Sequence, residues 1–355
     1  MPARYRVWFS GVRTASQAPL NGLTTLRLGG PARTLVEVAS AAEAVEAVRS
    51  AAPPVLILAG GSNVVLPDAG FAGTVVLLRS AGRRVDDDGD EVAVTVEAGA
   101  GWDDLVAWTV AEGLSGIECL SGIPGSVGAT PVQNVGAYGQ EVADTITAVR
   151  AYDRQTGEER VLSPADCRFT YRHSVFKGVD RWLVLDVTFR LRRAKESAPL
   201  RFGELTRRLA VEPGGTAPLD DVRQAVLTLR AGKGMVLDPA DHDTWSVGSF
   251  FTNPVIDVPA YEQIARRCDA EPPRFDAGEG LVKTSAAWLI ERAGFSRGYG
   301  KDGVSLSTKH TLALTNRGDG TTAALLALAR EVRDGVRDAF GVTLVNEPII
   351  VGDSL

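Results

Sequence analysis

Residues 113–140 are the most unusual part of this 355-residue chain, because they hold seven glycines and two prolines but few charges. Glycine lets a backbone approach a ligand more closely than any other residue does. A long loop that is neither charged nor repetitive usually serves a function. The stretch therefore predicts a binding loop that is built largely from backbone groups.

A second glycine-rich element follows the apolar run Pro54–Ala59, which has the composition of a buried strand. Gly60-Gly61-Ser62-Asn63 would form a tight turn whose free N–H groups could hold a pyrophosphate, although a simple strand-to-loop turn has the same composition. No GxGxxG opens a helix and no GxxxxGK[ST] occurs, so neither a Rossmann site nor a P-loop is predicted. Two separate glycine-rich elements would suit one long ligand that carries both a pyrophosphate and a ring.

Strand and helix patterns alternate along the chain and predict an α+β fold. Strands are expected at 35–38, 54–59, 74–78, 91–98 and 182–191, with a hairpin over 149–162. Helices are expected at 42–49, 102–111, 220–230, 261–268, 285–292 and 322–340. The acidic run 86–90 is interpreted as a solvated turn rather than a metal site, and residues 195–219 as a segment that contains a linker.

Charge and cysteine content exclude several classes of protein. A net charge of −6 argues against a nucleic-acid partner, which usually requires a basic surface. Cys119, Cys167 and Cys268 lie far apart without metal-ligand spacing, so we expect free thiols, no disulfide and no metal. Met1–Leu20 lacks the apolar core of a signal peptide, and no run of about 18 apolar residues occurs. We therefore expect a cytoplasmic protein without a membrane partner.

Three further segments give only weak evidence of function when each is taken alone. They are Tyr171–Lys177 (YRHSVFK), Gly248–Pro254 (GSFFTNP) and a late Asn346-Glu347-Pro348. In this order, and together with GGSN and SGIPGSVGATPVQNVGAYG, they resemble the UDP-N-acetylenolpyruvoylglucosamine reductase (MurB) family. The resemblance runs from about residue 21 to residue 351 and includes TTLRLGGPA at Thr24–Ala32. YRxS and GSFFxNP are its discriminating motifs.

The resemblance implies a two-subdomain FAD-binding fold of the PCMH/vanillyl-alcohol-oxidase type with a C-terminal α+β substrate domain. The subdomains would span 1–80 and 81–200, and the substrate domain 219–355. FAD would be held without a covalent bond. The residues that would contact it are Gly60, Gly61, Ser62, Asn63, Gly122, Ile123, Pro124, Gly125, Ser126, Gly128, Gln133 and Gly136.

The reaction implied by the resemblance is a two-stage reduction in peptidoglycan precursor synthesis. NADPH reduces FAD, and flavin N5 then gives hydride to C3 of UDP-N-acetylglucosamine enolpyruvate, which yields UDP-N-acetylmuramate. Negative charge develops on the substrate carboxylate, and Arg172 matches the residue that would pair with it. Ser249 matches the donor of the proton to C2, and Glu347 matches a catalytic acid that would help to stabilise the enolate.

Substrate contacts are also carried over from the family. Lys233 matches a contact to the diphosphate, Arg230 is a neighbouring candidate that a solvated helix face would explain equally well, and Tyr138 and Asn253 match further contacts. The longer sub-type of the family uses a loop tyrosine over the nucleotide, where this chain has Phe202. Stacking would survive that change, but a hydroxyl contact would not. We expect a monomer.

Two rival hypotheses remain open on sequence grounds. A flavin oxidase of the same FAD-binding fold would explain the N-terminal half, but it would leave GSFFTNP and Glu347 without a role. Rapid reoxidation of the reduced flavin in air would favour it. A non-catalytic module that binds a nucleotide sugar would make Arg172, Ser249 and Glu347 coincidental, and a colourless purified protein would favour that hypothesis.

Overall fold

The computed structural model describes residues 5–7 and 12–355, so part of the predicted N-terminal subdomain and of the segment tested for a signal peptide lies outside the described residues. The chain forms two compact units. The first contains the described residues up to Pro19, with Pro31–Gly61 and Phe71–Val236. The second contains Leu20–Gly30, Ser62–Gly70 and Leu237–Leu355.

The elements are numbered here in chain order. The strands are β1 (Tyr5–Val7), β2 (Arg13–Pro19), β3 (Pro31–Val38), β4 (Val55–Leu58), β5 (Val64–Val65), β6 (Phe71–Leu78), β7 (Arg83–Asp88), β8 (Glu91–Glu97), β9 (Leu114–Ser115), β10 (Gly136–Ala137), β11 (Gln140–Glu141), β12 (Ile146–Asp153), β13 (Glu158–Leu162), β14 (Trp182–Arg193), β15 (Ser246–Ser249), β16 (Val255–Asp257), β17 (Phe275–Asp276), β18 (Leu281–Lys283), β19 (Gly300–Lys301), β20 (Val304–Leu306), β21 (Ala313–Asn316) and β22 (Ile349–Ile350). The helices are α1 (Ala41–Ser50), α2 (Trp102–Ala111), α3 (Pro164–Cys167), α4 (Gly203–Leu209), α5 (Leu219–Gly232), α6 (Val258–Arg266), α7 (Ala286–Arg292) and α8 (Thr322–Phe340).

The first unit contains two large sheets. One has the strand order β1-β2-β3-β6-β4, in which β6 pairs parallel with both β3 and β4. Helix α1 connects β3 to β4, as a parallel arrangement requires. The other sheet is antiparallel, with the order β13-β12-β14-β8-β7. The chain changes from one sheet to the other between Leu78 and Arg83, close to the subdomain boundary predicted at residue 80.

Local sequence accounts for the helix boundaries that matter most. Ser40 caps α1 by accepting a hydrogen bond from the Glu43 amide at 3.2 Å. At the far end of the chain, Gly341 ends α8 in the left-handed conformation, with φ of 75°. Helix α8 buries Leu325, Ala329 and Val332, which share one face at helical spacing as predicted.

The second unit is built around a sheet with the order β15-β21-β20-β19 and helix α8. Two short segments from earlier in the sequence complete it. Leu26 joins its core, and the Asn316 side chain donates to the Leu26 carbonyl at 3.2 Å. Strand β5 pairs parallel with β22. The second unit therefore includes segments from far outside the C-terminal region. The helical periodicity of the C-terminal sequence could not indicate these segments.

Three predictions about local structure were wrong. Asp86–Asp88 do not lie in a turn but in β7, the edge strand of its sheet, where exposed acidic side chains meet water. The supposed linker over 195–219 contains α4, which buries Leu205 against Val222 of α5. Helix α6 begins at Val258 rather than 261 and ends at Arg266, because Asp257 caps it through the Ala260 amide.

The compact units also group the predicted C-terminal domain differently. Helix α5 belongs to the first unit, although the predicted substrate domain began at residue 219. Its buried residues Val222 and Val226 cluster with Leu200 and Leu205, which places the change of unit after Val236. The division into two cofactor-binding subdomains and a substrate domain stays a prediction.

The remaining expectations concern cysteines, metals and membranes. All three cysteines are free, and burial raises the pKa of the Cys167 thiol to about 12. Within residues 5–7 and 12–355, no group of three or more His, Cys, Asp or Glu side chains is arranged to hold a metal ion. Over the same described residues, no helix has both the length and the apolar character needed to cross a membrane.

Candidate active site

The two predicted glycine-rich elements touch each other in the first unit. A Cβ atom added to Gly60 would lie 2.5 Å from the Cα of Gly125 and 2.8 Å from its carbonyl carbon. Only glycine at residue 60 permits this contact, because no other residue lacks a Cβ. Gly61, with φ of 60°, and Gly125, with φ of 121°, adopt backbone conformations that also favour glycine. The turn after β4 and the loop at Gly122–Gly128 thus form one backbone surface.

Residues 98–102 pack against the loop at Gly122–Gly128 and bond to its backbone. The Trp102 amide donates to the Gly125 carbonyl at 3.1 Å, and the Val127 amide donates to the Ala100 carbonyl at 2.9 Å. Gly128 packs so closely that an added Cβ would lie 2.4 Å from the Cβ of Ala98. These contacts fix the loop against the start of helix α2.

Asp103 in the first turn of α2 provides a second anchor. Its carboxylate accepts a hydrogen bond from the Gly122 amide at 2.6 Å and a bidentate pair from Arg223 at 2.7 and 2.9 Å. Burial alone would raise the pKa of Asp103, but the Arg223 and Gly122 hydrogen bonds outweigh that effect and the net pKa is lowered. The carboxylate stays ionised, so this anchor persists through the physiological pH range.

The Ser126 side chain places a buried polar group in this loop. Its hydroxyl oxygen is buried and has no hydrogen-bond partner among the residues that the structure describes. A buried hydroxyl without a partner costs free energy on the order of 1–3 kcal/mol. A polar ligand against the loop would remove that cost. The Ser126 hydroxyl and the close approach of Gly60 to Gly125 together fit the phosphate part of a dinucleotide cofactor.

Arg172 lies after helix α3, inside a turn closed by an isolated antiparallel bridge between Thr170 and His173, and its φ is 54°. This left-handed conformation is uncommon for arginine and is held by its neighbours. Its Nη2 donates to the Gly136 carbonyl at 2.7 Å, and Lys177 Nζ donates to the Arg172 carbonyl at 3.1 Å. The Ser174 hydroxyl donates to the Val132 carbonyl at 2.8 Å. The YRHS segment is therefore hydrogen-bonded to residues 132–136. The bond to the Gly136 carbonyl orients the Arg172 guanidinium.

Gly136 and Asn134 make this arrangement possible. A Cβ at Gly136 would lie 3.0 Å from Nη1 of Arg172. The Asn134 side chain donates to Glu141 at 2.7 Å and to the Thr170 carbonyl at 3.2 Å, which ties the hairpin of β10 and β11 to the arginine segment. Gly136 therefore acts by leaving room for Arg172.

Four predicted substrate contacts gather beside this hairpin. The rings of Tyr138 and Phe202 meet edge to face at 5.3 Å between centroids, and Lys233 Nζ lies 5.9 Å from the Tyr138 ring centre. Burial raises the pKa of Tyr138 to about 12, partly offset by the nearby Arg230. Arg230 lies next to Gly122, whose added Cβ would be 3.6 Å from its Nε. Two cations and two aromatic rings thus share one surface of the first unit.

Ser249 and Glu347 are neighbours in the second unit. Ser249 ends β15 and pairs with Ala313 of β21. The Glu347 amide donates to the carbonyl of Phe250 at 2.9 Å, and Phe251 forms an antiparallel bridge with Asn346. Phe250 and Phe251 are fully buried, at 0% and 1% exposure. The serine and the glutamate are therefore held on adjacent backbone segments over a dry core.

The structure places the other predicted residues as follows. In the second unit, the Asn63 carbonyl accepts from the Ile349 amide at 3.0 Å, and Asn253 Oδ1 accepts from the Ala286 amide at 3.0 Å, so part of the Asn253 side chain supports helix α7. Ile123 packs against the core of the first unit. Three more predicted residues, Ser62, Pro124 and Gln133, are half-buried.

No sequence pattern indicates a role for Glu118. This carboxylate is 0% exposed and accepts from the Gly116 amide at 2.7 Å, the Gln140 side chain at 3.0 Å and the Ala198 amide at 3.2 Å. It joins the glycine-rich stretch to the Tyr138 hairpin and to the segment that leads to Phe202. Glutamate is usually solvated, so nothing in its position along the sequence distinguishes it.

The chain is similar to known proteins over nearly its whole length. Residues 32–163 match the family model described as an FAD binding domain, and residues 238–351 match the C-terminal domain of UDP-N-acetylenolpyruvoylglucosamine reductase. The UDP-N-acetylenolpyruvoylglucosamine reductase of Streptomyces coelicolor is 57% identical over 97% of this chain and 92% of its own length. The enzyme of that name from Mycolicibacterium gilvum is 57% identical, over 97% of this chain and 98% of its own. The crystal structure of UDP-N-acetylenolpyruvylglucosamine reductase (MurB) from Thermus caldophilus shares the fold, with a TM-score of 0.66 at 24% identity over 98% of this chain and 99% of that one.

Proposed function

Because the chain belongs to the UDP-N-acetylenolpyruvoylglucosamine reductase family, we propose that it reduces UDP-N-acetylglucosamine enolpyruvate to UDP-N-acetylmuramate with NADPH. The observation that carries this proposal is similarity over almost the whole chain, including the C-terminal domain specific to the family. The predicted FAD-binding fold and FAD as cofactor are confirmed by the matching FAD binding domain. The protein is an oxidoreductase of peptidoglycan precursor synthesis.

We assign the FAD pyrophosphate to the joined glycine surface of Gly60, Gly61 and Gly122–Gly128. The close approach of Gly60 to Gly125 supports this assignment, as does the buried Ser126 hydroxyl without a partner. Gln133 and Gly136 lie next to the arginine segment, and we assign them to the cofactor on the resemblance alone.

We assign the diphosphate of the nucleotide sugar to Lys233 and Arg230. Both cations lie beside the Tyr138–Phe202 pair, which offers apolar surface for the rest of the nucleotide. The Nε atom of Arg230 is buried and has no hydrogen-bond partner within residues 5–7 and 12–355, so an anion there would satisfy it. Asn253, in the second unit, is a further proposed contact. Phe202 offers no hydroxyl, so only stacking is available from this loop.

Bound FAD, once reduced by NADPH, supplies the hydride for C3 of the enolpyruvyl group. Arg172 would hold the substrate carboxylate and stabilise the negative charge that develops there, with its own geometry fixed by the Gly136 carbonyl. Ser249 would donate the proton to C2 from its hydroxyl. Glu347 would act on the enolate oxygens, and its backbone bond to Phe250 keeps it beside the serine segment.

Two further assignments complete the proposal. A UDP-linked sugar and NADPH are cytoplasmic metabolites, so the reaction belongs in the cytoplasm. We expect a monomer, with no nucleic-acid or membrane partner.

The rival flavin oxidase would not account for the family match over residues 238–351, and the rival binding module would not account for an FAD binding domain.

Substitution Ser249→Ala tests the proton donor. Reduction of FAD by NADPH needs no proton at substrate C2, so that half-reaction should keep its rate. Reoxidation by the enolpyruvyl substrate should slow by about 10² to 10⁴, the usual range for loss of a general acid. Stopped-flow absorbance of the flavin measures each half-reaction separately under anaerobic conditions.

The matched control is Ser296→Ala, which removes an exposed hydroxyl from the same unit. It should leave both half-reactions unchanged. Equal slowing of both half-reactions in Ser249→Ala would assign the serine a structural role. Failure of the unsubstituted protein to be reoxidised by the enolpyruvyl substrate would contradict the proposed function itself.

A further inference from the structure

Lys233 has a carboxylate partner within the proposed nucleotide surface. Its Nζ lies 2.5 Å from Oε2 of Glu204, and each side chain is 34% exposed. Glu204 lies in the first turn of α4, two residues after Phe202. The ion pair therefore joins the Phe202 segment to the end of α5, beside the Tyr138 ring.

Arg230, one helical turn earlier, provides the contrast. Its Nη2 donates to the Met235 carbonyl at 2.8 Å, and its Nε is buried and has no hydrogen-bond partner in the described part of the chain. No carboxylate within the described part of the chain lies within 4 Å of this guanidinium. Burial lowers the pKa of Arg230 to about 10, which still leaves it charged at neutral pH. Of the two cations on this surface, Lys233 forms a direct ion pair, whereas Arg230 is attracted to Asp103 only at longer range.

A carboxylate and a diphosphate compete for the same ammonium group. Each is an anion that accepts N–H hydrogen bonds, and the diphosphate brings the greater charge. Glu204 is a third exposed, so water can solvate it once the lysine turns away. Displacement therefore has a modest cost, and that cost is subtracted from the binding free energy of the incoming ligand.

We propose that Glu204 is an internal counter-ion that occupies Lys233 in the absence of nucleotide and must be displaced by the substrate diphosphate. The proposal rests on the proposed function, because it takes the diphosphate of a nucleotide sugar as the ligand. Glu204 thereby sets the affinity of the site for its substrate. It also holds the Phe202 segment against Tyr138 until the ligand arrives.

Calorimetric titration of the FAD-loaded full chain with UDP tests the proposal without turnover. Glu204→Gln should bind UDP about two- to fivefold more tightly, the range expected for releasing a partly exposed ion pair. The tightening should vanish in the Lys233→Met background, because the two residues then have no interaction left to break. UDP affinity should also fall more steeply with salt in Glu204→Gln, since one more net ion pair forms on binding.

The matched control is Glu212→Gln, which removes an equal charge from an exposed residue shortly after α4. Its UDP affinity should equal that of the unsubstituted protein. Weaker or unchanged UDP binding by Glu204→Gln overturns the proposal, as does equal tightening in Glu212→Gln or persistence of the effect in the Lys233→Met background. Absence of UDP binding by every variant, including the unsubstituted chain, would contradict the proposed function and this proposal together.

Discussion

Substitution Gly60→Ala should weaken FAD binding, because the contact between the two glycine elements leaves no room for a methyl group. The added Cβ would lie 2.5 Å from the Cα of Gly125, whereas carbon atoms in contact are about 3.5 Å apart. One backbone must therefore move by about 1 Å. The three atoms nearest to the new methyl group are all backbone atoms, so no side-chain rotation can relieve the overlap.

The magnitude follows from the cost of overpacking, which is about 1–3 kcal/mol. The loop would move away from the position that holds the cofactor, so much of this cost would appear as lost affinity. At 1.4 kcal/mol for each factor of ten, FAD should bind about 5- to 100-fold more weakly. Flavin absorbance per chain after gel filtration measures occupancy, and quenching of flavin fluorescence on titration of the apoprotein gives the dissociation constant.

Two measurements separate the cofactor effect from misfolding. Thermal unfolding of the apoprotein should show that the variant still folds cooperatively. Gly22→Ala is the control, because nothing lies within 4 Å of its added Cβ and its φ is not left-handed. It should retain full FAD occupancy. Unchanged FAD affinity in a folded Gly60→Ala protein would refute the assignment of the cofactor to this surface.

Two further predictions concern Arg172 and Asp153. Arg172→Lys keeps the charge, but a lysine cannot hold the Gly136 carbonyl and a carboxylate at once. Substrate-driven flavin reoxidation should therefore slow by about 10²-fold or more, whereas NADPH-driven reduction should keep its rate. Stopped-flow rates equal to those of the unsubstituted protein in both half-reactions would contradict the assigned role. Asp153 is fully buried, and the hydrogen-bonded Arg181 guanidinium holds the pKa of the Asp153 carboxyl well below its usual range. The contribution of this ion pair to folding stability is therefore present above about pH 4 and is lost as the pH falls further. Asp153→Asn should therefore lower the melting temperature at neutral pH, and the difference from the unsubstituted protein should shrink on acidification; a difference that is constant from neutral pH to about pH 2 would argue against this linkage.

Elements with a strong local pattern could be predicted from the sequence. The alternation of β8, the capped helix α1 and the apolar face of α8 each depend on residues close together in the chain. The hairpin of β12 and β13 is likewise local. Motif order identified the family and, through it, the proposed catalytic residues, although no local property of Ser249 or Glu347 distinguishes them from ordinary polar residues.

Long-range contacts could not be predicted in the same way. The contact of Gly60 with Gly125, the anchoring of Gly122 by Asp103 and the pairing of Lys233 with Glu204 all join residues from different segments. The acidic run that ends β7 also depends on context, because only its place at a sheet edge makes a charged strand acceptable. Helix α4 is short, and its burial against α5 stabilises it more than its own propensity does.

Tyr138 illustrates why departures from local rules indicate function. It and Gly139 form the two-residue turn between β10 and β11, with φ of 51° and 86°. Such a turn favours Asn-Gly, and a tyrosine in this conformation costs on the order of 1 kcal/mol. The strands on either side are held by polar contacts: Gln140 accepts from the Cys119 amide at 2.8 Å, and Glu141 accepts from Asn134 at 2.7 Å. The surroundings thus impose a strained backbone on Tyr138 and present its ring to Phe202 and Lys233. A turn selected for stability alone would use asparagine, so the ring itself accounts for the tyrosine, as its proposed role in substrate binding requires.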